Sequence, residues 1–96
     1  MKRGYVTGSF DLLHRGHFNL LEKCKHNCNF LIVGLVSDDL GKKQKRKPIL
    51  SFELRKESLL SMKWVNEVIK FDGETKHEDF LKIKFDILFS YEIKFY

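Results

Sequence analysis

Short apolar-rich runs alternate with helical apolar stripes along the chain, and this alternation predicts strands separated by helices. The runs at residues 5–7, 30–36, 65–71 and 85–89 predict four strands. The run at 30–36, FLIVGLV, contains no charged or polar side chain. Strands without apolar–polar alternation are typical of parallel sheets, which are covered on both faces. We therefore predict that this strand is buried on both sides.

Three segments between these runs predict helices. The first, residues 17–28, places four side chains toward the core: Phe18, Leu21, Cys24 and Cys28. The second follows Ser51, which is placed to cap its first turn. It carries three apolar side chains on one side: Phe52, Leu59 and Met62. The third, residues 75–84, is short and charged.

The predicted order is β-α-β-α-β-α-β, in a single domain that spans residues 1–96. Crossovers between parallel strands are right-handed. The order therefore predicts an α/β fold with a Rossmann-like, doubly wound parallel sheet of about four strands. The fourth run lies close to the last residue of the sequence. We therefore expect its strand to be exposed at an edge of the sheet or paired with a second copy in a homodimer.

Charge narrows the class of partner. The 18 basic and 13 acidic side chains give a formal charge of +5, which favours an anionic partner such as a nucleotide, a phosphorylated metabolite or a nucleic acid. We rank nucleic acid last, since its support is the basic run at residues 42–47 alone. No apolar stretch approaches the ~20 residues of a membrane span, and residues 1–6 lack the apolar stretch of a signal peptide. We expect a cytoplasmic protein.

The two cysteines, Cys24 and Cys28, are too few for a disulfide framework. They share one helical stripe with Leu20 and Leu21, which predicts two small core residues. A zinc site would need His26, and this residue falls on the opposite side of the helix. The pattern excludes a metal site there.

The first strand-to-helix turn carries the candidate chemistry, since ligands of doubly wound sheets lie beyond the carboxyl ends of the strands. Gly8 permits close approach of the backbone, and Ser9 offers a hydroxyl group. His17 lies at a helix N-terminus, where free N–H groups and the helix dipole attract anions. His14 lies three residues earlier, and Gly16 lets the chain bend between them. The turn predicts a phosphate-binding pair of imidazoles.

Segment 8–21, GSFDLLHRGHFNLL, resembles the HxGH signature of the nucleotidyltransferase superfamily. It is most similar to the GTFDLLHxGHxxLL form of glycerol-3-phosphate and choline- or ethanolamine-phosphate cytidylyltransferases, with serine in place of the usual threonine. A second segment, 47–56, KPILSFELRK, is similar to the basic loop and the K-P-x-x-x-[FY]-E-x-R helix start of that family. The resemblance covers nearly the whole chain.

In that family a phosphate oxygen of the acceptor attacks the α-phosphorus of CTP, pyrophosphate leaves, and Mg²⁺ accompanies the triphosphate. The resemblance implies that His14 and His17 donate hydrogen bonds to the triphosphate and stabilise the transition state. It implies that the nucleotide is bound by Thr7, Gly8, Ser9, Phe10, Asp11, Gly16, Lys43, Lys45, Arg46 and Lys47. Arg55 is implied to line the acceptor side or to brace the loop. Asp11 is implied to orient the turn or to lie near the magnesium.

The resemblance weakens toward the end of the sequence. The family has a Gly-Asp-Asp-Trp-like turn where this chain has SYEI at residues 90–93, and the R-T-x-G-I-S-T-T segment of the family is absent. We expect weaker selection of the base and weaker transition-state stabilisation. Two alternatives therefore stand beside a cytidylyltransferase for glycerol 3-phosphate, phosphocholine or phosphoethanolamine. One is an ATP-using adenylyltransferase of the same superfamily, and the other is an inactive nucleotide-binding module.

Overall fold

A computed structural model of the chain describes residues 1–43, 48–73 and 83–89. Within these ranges the helices and strands are β1 (Arg3–Gly8), α1 (Arg15–His26), β2 (Phe30–Val36), α2 (Asp38–Lys43), α3 (Phe52–Leu60), β3 (Glu67–Phe71) and β4 (Ile87–Leu88). The predicted helix at 75–84 and the sequence after residue 89 fall largely or wholly outside the described residues.

The four strands form one parallel sheet in the order β3-β2-β1-β4. Arg3 pairs with Phe30 at the start of β1 and β2, and Gly4 of β1 pairs with Ile87 of β4. The chain moves to one side of β1 for β2 and β3, and to the other side for β4. The strand order therefore reverses beside β1, where ligands of this architecture bind. The predicted Rossmann-like α/β fold is confirmed.

The two faces of the sheet bury different clusters. Val33 of β2 lies in a large cluster that includes Leu21 of α1 and Leu59 of α3, whereas the neighbouring Ile32 lies in a second cluster with Tyr5 and Phe85. Successive side chains of a strand point to opposite faces, so this division shows that β2 is buried on both sides. Every residue of β2 after Phe30 is buried, as its unbroken apolar run predicts.

Helix α1 begins at Arg15, two residues earlier than predicted. Two residues of the predicted apolar stripe, Leu21 and Cys24, are buried as expected. The prediction for Phe18 is wrong, because 38% of this residue is exposed. A crossover helix starts at the carboxyl edge of the sheet, so its first turn has little sheet beneath it. Phe18 lies in that turn.

The cysteines pack as predicted. Cys24 is buried and Cys28 partly buried, and both are free thiols. Burial, and then the neighbouring Cys28, raises the pKa of Cys24 to about 11. His26 is exposed. Within the described ranges, no group of three or more His, Cys, Asp or Glu side chains is arranged to hold a metal ion.

The short helix α2 was not predicted from the apolar pattern. Its first turn carries Asp38 and Asp39 and its last turn Lys42 and Lys43, an order that complements the helix dipole. The hydroxyl oxygen of Ser37 accepts a hydrogen bond from the backbone N–H of Leu40 at 3.1 Å and so caps the first turn. The sequence signals for α2 are therefore its cap and the order of its charges. Its apolar pattern gives no signal, because Leu40 is its single large apolar residue.

Helix α3 starts where the sequence predicts. Ser51 is its N-cap, and the Ser51 hydroxyl oxygen accepts from the backbone N–H of Leu54 at 3.3 Å. Leu59 is fully buried, and Met62 is buried just beyond the end of the helix.

Strands β3 and β4 are shorter than the runs that predict them. Backbone bonds nevertheless extend the pairing of β4, because Asp86 N–H donates to Arg3 and Phe89 N–H donates to Tyr5. In the described sheet β4 lies at an edge. The homodimer stays a prediction.

No described helix has the length and apolar character needed to cross a membrane.

Candidate functional site

The candidate site lies at the carboxyl end of β1, in the turn that leads to α1. Thr7 and Gly8 are the last residues of β1 and pair with Gly34 and Leu35 of β2. The turn therefore starts from a strand held in the middle of the sheet, next to the position where the strand order reverses. Its backbone is anchored before any ligand arrives.

His14 is the N-cap of α1. Its backbone is extended, with φ −140° and ψ 178°, and its Nδ1 atom accepts a hydrogen bond from the backbone N–H of Gly16 at 3.0 Å. A Cβ on residue 16 would lie 2.8 Å from Cε1 of the His14 ring, so the absence of a side chain there makes room for the imidazole. His14 therefore has the N-cap role that Ser, Thr, Asp or Asn usually has at this position.

His17 completes a reciprocal cap. Its Nδ1 atom accepts from the backbone N–H of His14 at 3.3 Å, and the centroids of the two rings lie 4.0 Å apart. A neutral imidazole that accepts at Nδ1 carries its proton at Nε2. The backbone therefore selects the same tautomer for both histidines, and each ring presents an Nε2–H donor.

His17 is the more buried of the two. Burial, and then the nearby His14, holds the pKa of His17 below its usual value of 6.5. The ring is therefore neutral at pH 7, and its donor carries no charge of its own. A neutral donor already in place suits the stabilisation of charge that grows only in a transition state.

We expect the stability of the fold to decrease as the pH falls below about 6.5, in part through His17. The folded chain binds a proton at His17 less readily than the unfolded chain, because the pKa of His17 is lowered on folding. The contribution of His17 is complete above its unfolded pKa and is lost as the pH falls toward its folded pKa. Urea denaturation at pH 7.5 and pH 5.5 measures this difference.

His17→Gln is expected to reduce the pH dependence, since glutamine does not titrate and suits the third position of a capping box. The matched control is His26→Gln, which removes an exposed histidine from the same helix. An equal pH dependence in His17→Gln and the unmodified protein would contradict the assignment.

Phe10 lies between the strand and the histidines. It is 2% exposed and has φ 43°, in the left-handed region that few residues other than glycine adopt. A Cβ on residue 8 would lie 2.7 Å from Cε2 of the Phe10 ring, so Gly8 makes room for this ring. The ring also contacts His17, at a centroid distance of 5.4 Å.

Asp11 joins the turn to the segment before α3. Its Oδ2 accepts from the backbone N–H of Ile49 at 2.7 Å and its Oδ1 from that of Leu50 at 2.9 Å. Both carboxylate oxygens are therefore engaged by backbone groups 38 and 39 residues away in sequence. This geometry supports the role of orienting the turn, one of the two that the resemblance implies.

Arg55 is fully buried, although it belongs to the first turns of a helix with an exposed face. Nε donates to the carbonyl oxygen of Leu50 at 3.0 Å, and Nη1 donates to those of Ser9 at 3.0 Å and Val36 at 2.8 Å. Nη2 donates to Asp38 Oδ1 at 2.7 Å. The guanidinium thus binds the turn after β1, the end of β2 and the segment before α3 into one unit. This supports the bracing role.

Asp38 is a residue of the site that the sequence reasoning missed. Its Oδ2 accepts from the backbone N–H of Phe52 at 3.3 Å, and its Oδ1 pairs with Arg55. The Phe52 N–H, and then Arg55 and Lys42, hold the pKa of Asp38 below its usual range against the opposing effect of burial. Its position directly after β2, at the carboxyl edge of the sheet, was the available signal.

Of the remaining predicted residues, two are described and three are not. Lys43 ends α2 and is exposed, and Gly16 is the second residue of α1. Lys45, Arg46 and Lys47 lie outside the described residues. A cleft of about 260 Å³ opens beside the 48–51 segment and is lined by Asp38, Lys42, Pro48, Ile49, Leu50 and Ser51.

Comparison with known proteins identifies the family of this chain. The sequence pattern described as cytidylyltransferase-like matches residues 5–93, which is nearly the whole chain. The chain belongs to the cytidylyltransferase-like family. The resemblance inferred from the HxGH turn is confirmed, and the match includes the turn, α1 and the segment around Arg55.

Two curated relatives and one solved structure illustrate the range of this family. Glycerol-3-phosphate cytidylyltransferase of Bacillus subtilis is 35% identical over 88 residues, which cover 91% of this chain and 68% of that protein. FAD synthase of Ferroglobus placidus is 36% identical over 88 residues, 92% of this chain and 57% of that protein. The lipopolysaccharide core biosynthesis protein of Thermoplasma volcanium has a TM-score of 0.88 at 28% identity, covering 100% of this chain and 80% of that one.

Proposed function

We propose that this member of the family is a nucleotidyltransferase that moves CMP from CTP to a phosphorylated alcohol and releases pyrophosphate. The observation that carries the proposal is the pair of imidazoles at the start of α1, with both Nδ1 atoms held by backbone N–H groups. The two Nε2–H donors stand beside a helix N-terminus, whose own N–H groups and dipole attract phosphate. The two imidazole N–H groups and the helix N-terminus therefore all direct positive electrostatic potential toward the same region.

The proposed reaction needs positioning and charge stabilisation more than covalent chemistry. A phosphate oxygen of the acceptor forms a bond to the α-phosphorus of CTP, and the bond from that phosphorus to the bridging oxygen breaks. Pyrophosphate leaves with the electron pair. His14 and His17 donate hydrogen bonds to phosphoryl oxygens whose negative charge grows in the transition state. One well-placed donor of this kind contributes about 3–4 kcal/mol.

We propose that magnesium enters as part of the substrate, bound to the triphosphate. Magnesium keeps several waters and is usually held by substrate phosphates with one or two carboxylates. Both oxygens of Asp11 already accept backbone hydrogen bonds, and the described residues hold no metal-binding cluster. The protein side chains of the site therefore handle phosphate oxygens rather than build a metal cage.

The choice of CTP and of a phosphorylated alcohol is supported by the B. subtilis relative, which is named for glycerol 3-phosphate and for cytidylyl transfer. Ethanolamine-phosphate cytidylyltransferase of Arabidopsis thaliana, 37% identical over 84 residues, supports an amino-alcohol phosphate as a second acceptor of the same class. Both acceptors carry a phosphate that acts as the nucleophile.

A specific observation also favours an ATP-using alternative. The F. placidus relative is an FAD synthase and matches 92% of this chain. Two imidazole donors would recognise the phosphates and not the base, so this proposed mode of binding does not distinguish CTP from ATP. An inactive nucleotide-binding module has the same recognition chemistry without turnover.

The decisive experiment is pyrophosphate release with magnesium and each of CTP, ATP, UTP and GTP. Each triphosphate is paired with glycerol 3-phosphate, phosphocholine and phosphoethanolamine. FMN is added as an acceptor for the FAD synthase alternative. The matched control is a His14→Ala/His17→Ala double variant whose folding is checked by circular dichroism. We expect release with CTP and one phosphorylated alcohol, and loss of that release in the double variant.

Each outcome separates the candidates. Release with ATP alone would assign the chain to the adenylyltransferase alternative. Binding of a triphosphate without release in any pairing would leave the nucleotide-binding module. Unchanged release in the folded double variant would remove the histidines from the mechanism.

A further inference from the structure

Three aromatic rings of the site form a continuous row. Phe10 faces His17 at a centroid distance of 5.4 Å and an interplanar angle of 59°, and His17 faces His14 at 4.0 Å and 33°. A glycine stands at each end. A Cβ on Gly8 would lie 2.7 Å from the Phe10 ring, and a Cβ on Gly16 would lie 2.8 Å from the His14 ring. The two end rings of the row therefore lie close to the backbone of these glycines.

Phe10 is the member of this row that belongs to the core. It is 2% exposed and packs in the large cluster that also contains Val6 and Leu21. Its φ of 43° is disfavoured for a residue with a Cβ, and such a conformation persists only where the surroundings fix it. The core and the room left by Gly8 thus hold the phenyl ring in one place.

The plane of the His17 ring depends on the groups packed against it. Rotation about the bond to an imidazole ring is soft, with a broad energy minimum. The hydrogen bond that its Nδ1 accepts is 3.3 Å long, at the weak end of the usual range, and it favours one tautomer. The rings of Phe10 and His14 both contact the imidazole and limit its rotation.

We infer that Phe10 is a positioning residue, whose buried ring sets the plane of the His17 imidazole and so aims the Nε2–H donor. The inference rests on the proposed function, because the donor matters through the phosphate that it meets. The resemblance implies nucleotide binding by Phe10 among other residues, whereas the inference concerns its phenyl ring, which acts through His17. Displacement of a catalytic donor by about 1 Å costs on the order of 100-fold in rate.

The surroundings of His17 make its titration a readout of this contact. Burial, and then His14, lowers the pKa of His17, and Phe10 is one of the rings packed against it. Among the other charged groups near the turn, Asp11 is bonded to the backbone of Ile49 and Leu50, and Arg55 reaches the turn at the carbonyl of Ser9. A change at Phe10 leaves those two groups in place.

The test is Phe10→Leu, followed by NMR titration of the histidine Hε1 resonances, with the His17 resonance assigned by its loss in His17→Gln. The matched control is Phe85→Leu, the same change at a buried ring that stacks on Tyr5 in the other cluster. We expect the pKa of His17 to rise toward 6.5 and its Hε1 resonance to move in Phe10→Leu alone. In the transfer assay we expect kcat to fall by roughly 10- to 100-fold with little change in KM.

An unchanged His17 resonance and pKa in Phe10→Leu would overturn the inference, as would an equal change in Phe85→Leu. If Phe10→Leu does not fold, Gly8→Ala gives the same readout, because its Cβ meets the phenyl ring and pushes it along the row. An unmoved His17 resonance in that variant would equally overturn the inference. The NMR titration needs no turnover, so it decides the role of Phe10 even if the chain transfers no nucleotide and the proposed function fails.

Discussion

His14→Asn is expected to lower the rate of nucleotide transfer by about 100- to 1,000-fold while α1 stays capped. Asparagine supplies an oxygen in place of the Nδ1 atom that accepts from Gly16, and it is among the best N-cap residues. It has no atom at the position of Nε2. The substitution therefore removes the proposed phosphate donor and keeps the cap. The kcat with the active triphosphate of the panel measures the loss.

His14→Ala separates the two roles. It removes both the donor and the cap, so we expect the same loss of rate together with a fall of about 1 kcal/mol in the free energy of unfolding. His26→Asn, at an exposed position in the last turn of the same helix, is the control and should retain full activity. Full activity in His14→Asn would show that the His14 ring serves only the helix. A large loss of stability in His14→Asn would show that asparagine does not reproduce the cap.

Arg55→Met is expected to lower the free energy of unfolding by about 3 kcal/mol. Methionine fills part of the volume but leaves the carbonyl oxygens of Ser9, Val36 and Leu50 without their guanidinium donor. A buried polar group that loses its partner costs about 1–3 kcal/mol. For a domain of this size, the loss corresponds to a fall in Tm of about 12–24 °C, which thermal denaturation followed by circular dichroism detects.

The ion pair with Asp38 adds little to this loss, because the Asp38 side chain is 48% exposed and solvent screens the pair. We therefore expect Asp38→Asn to cost less than Arg55→Met. Arg55→Lys should recover only part of the stability, since one ammonium group cannot reach acceptors on three segments. The control is Lys56→Met on the same helix, expected within about 0.5 kcal/mol of the unmodified protein. An Arg55→Met variant as stable as that control would contradict the bracing role.

Arg55 and Asp11 have a common consequence for the site. Arg55 holds the carbonyl of Ser9, and Asp11 holds the backbone of Ile49 and Leu50. The turn after β1, where we propose that phosphate binds, and the segment before α3 are thereby tied together by both residues. Residues of the K-P-x-x-x-[FY]-E-x-R segment thus help to shape the histidine turn, although 46 positions separate Arg55 from Ser9.

The sequence by itself determined the parallel sheet and the order of its main elements, and it predicted a site in the turn after β1. Apolar runs and stripes record which faces are buried, and the unbroken run at Phe30–Val36 correctly predicted a strand covered on both sides. The start of α3 was equally legible, because Ser51 caps it through a local hydrogen bond. The HxGH turn was recognisable because its glycines and histidines act within a few residues of one another.

Tertiary structure decided what the charged side chains do. Arg55 has the sequence context of an exposed helical arginine and is buried, because carbonyl oxygens from three separate segments converge on it. Asp11 and Asp38 likewise find partners far along the chain. A local pattern records the average polarity of a face and not where distant hydrogen-bonding groups meet. Phe18 shows that a local pattern also does not tell where the sheet ends. It belongs to the apolar stripe of α1, but it lies beyond the edge of the strands and is exposed.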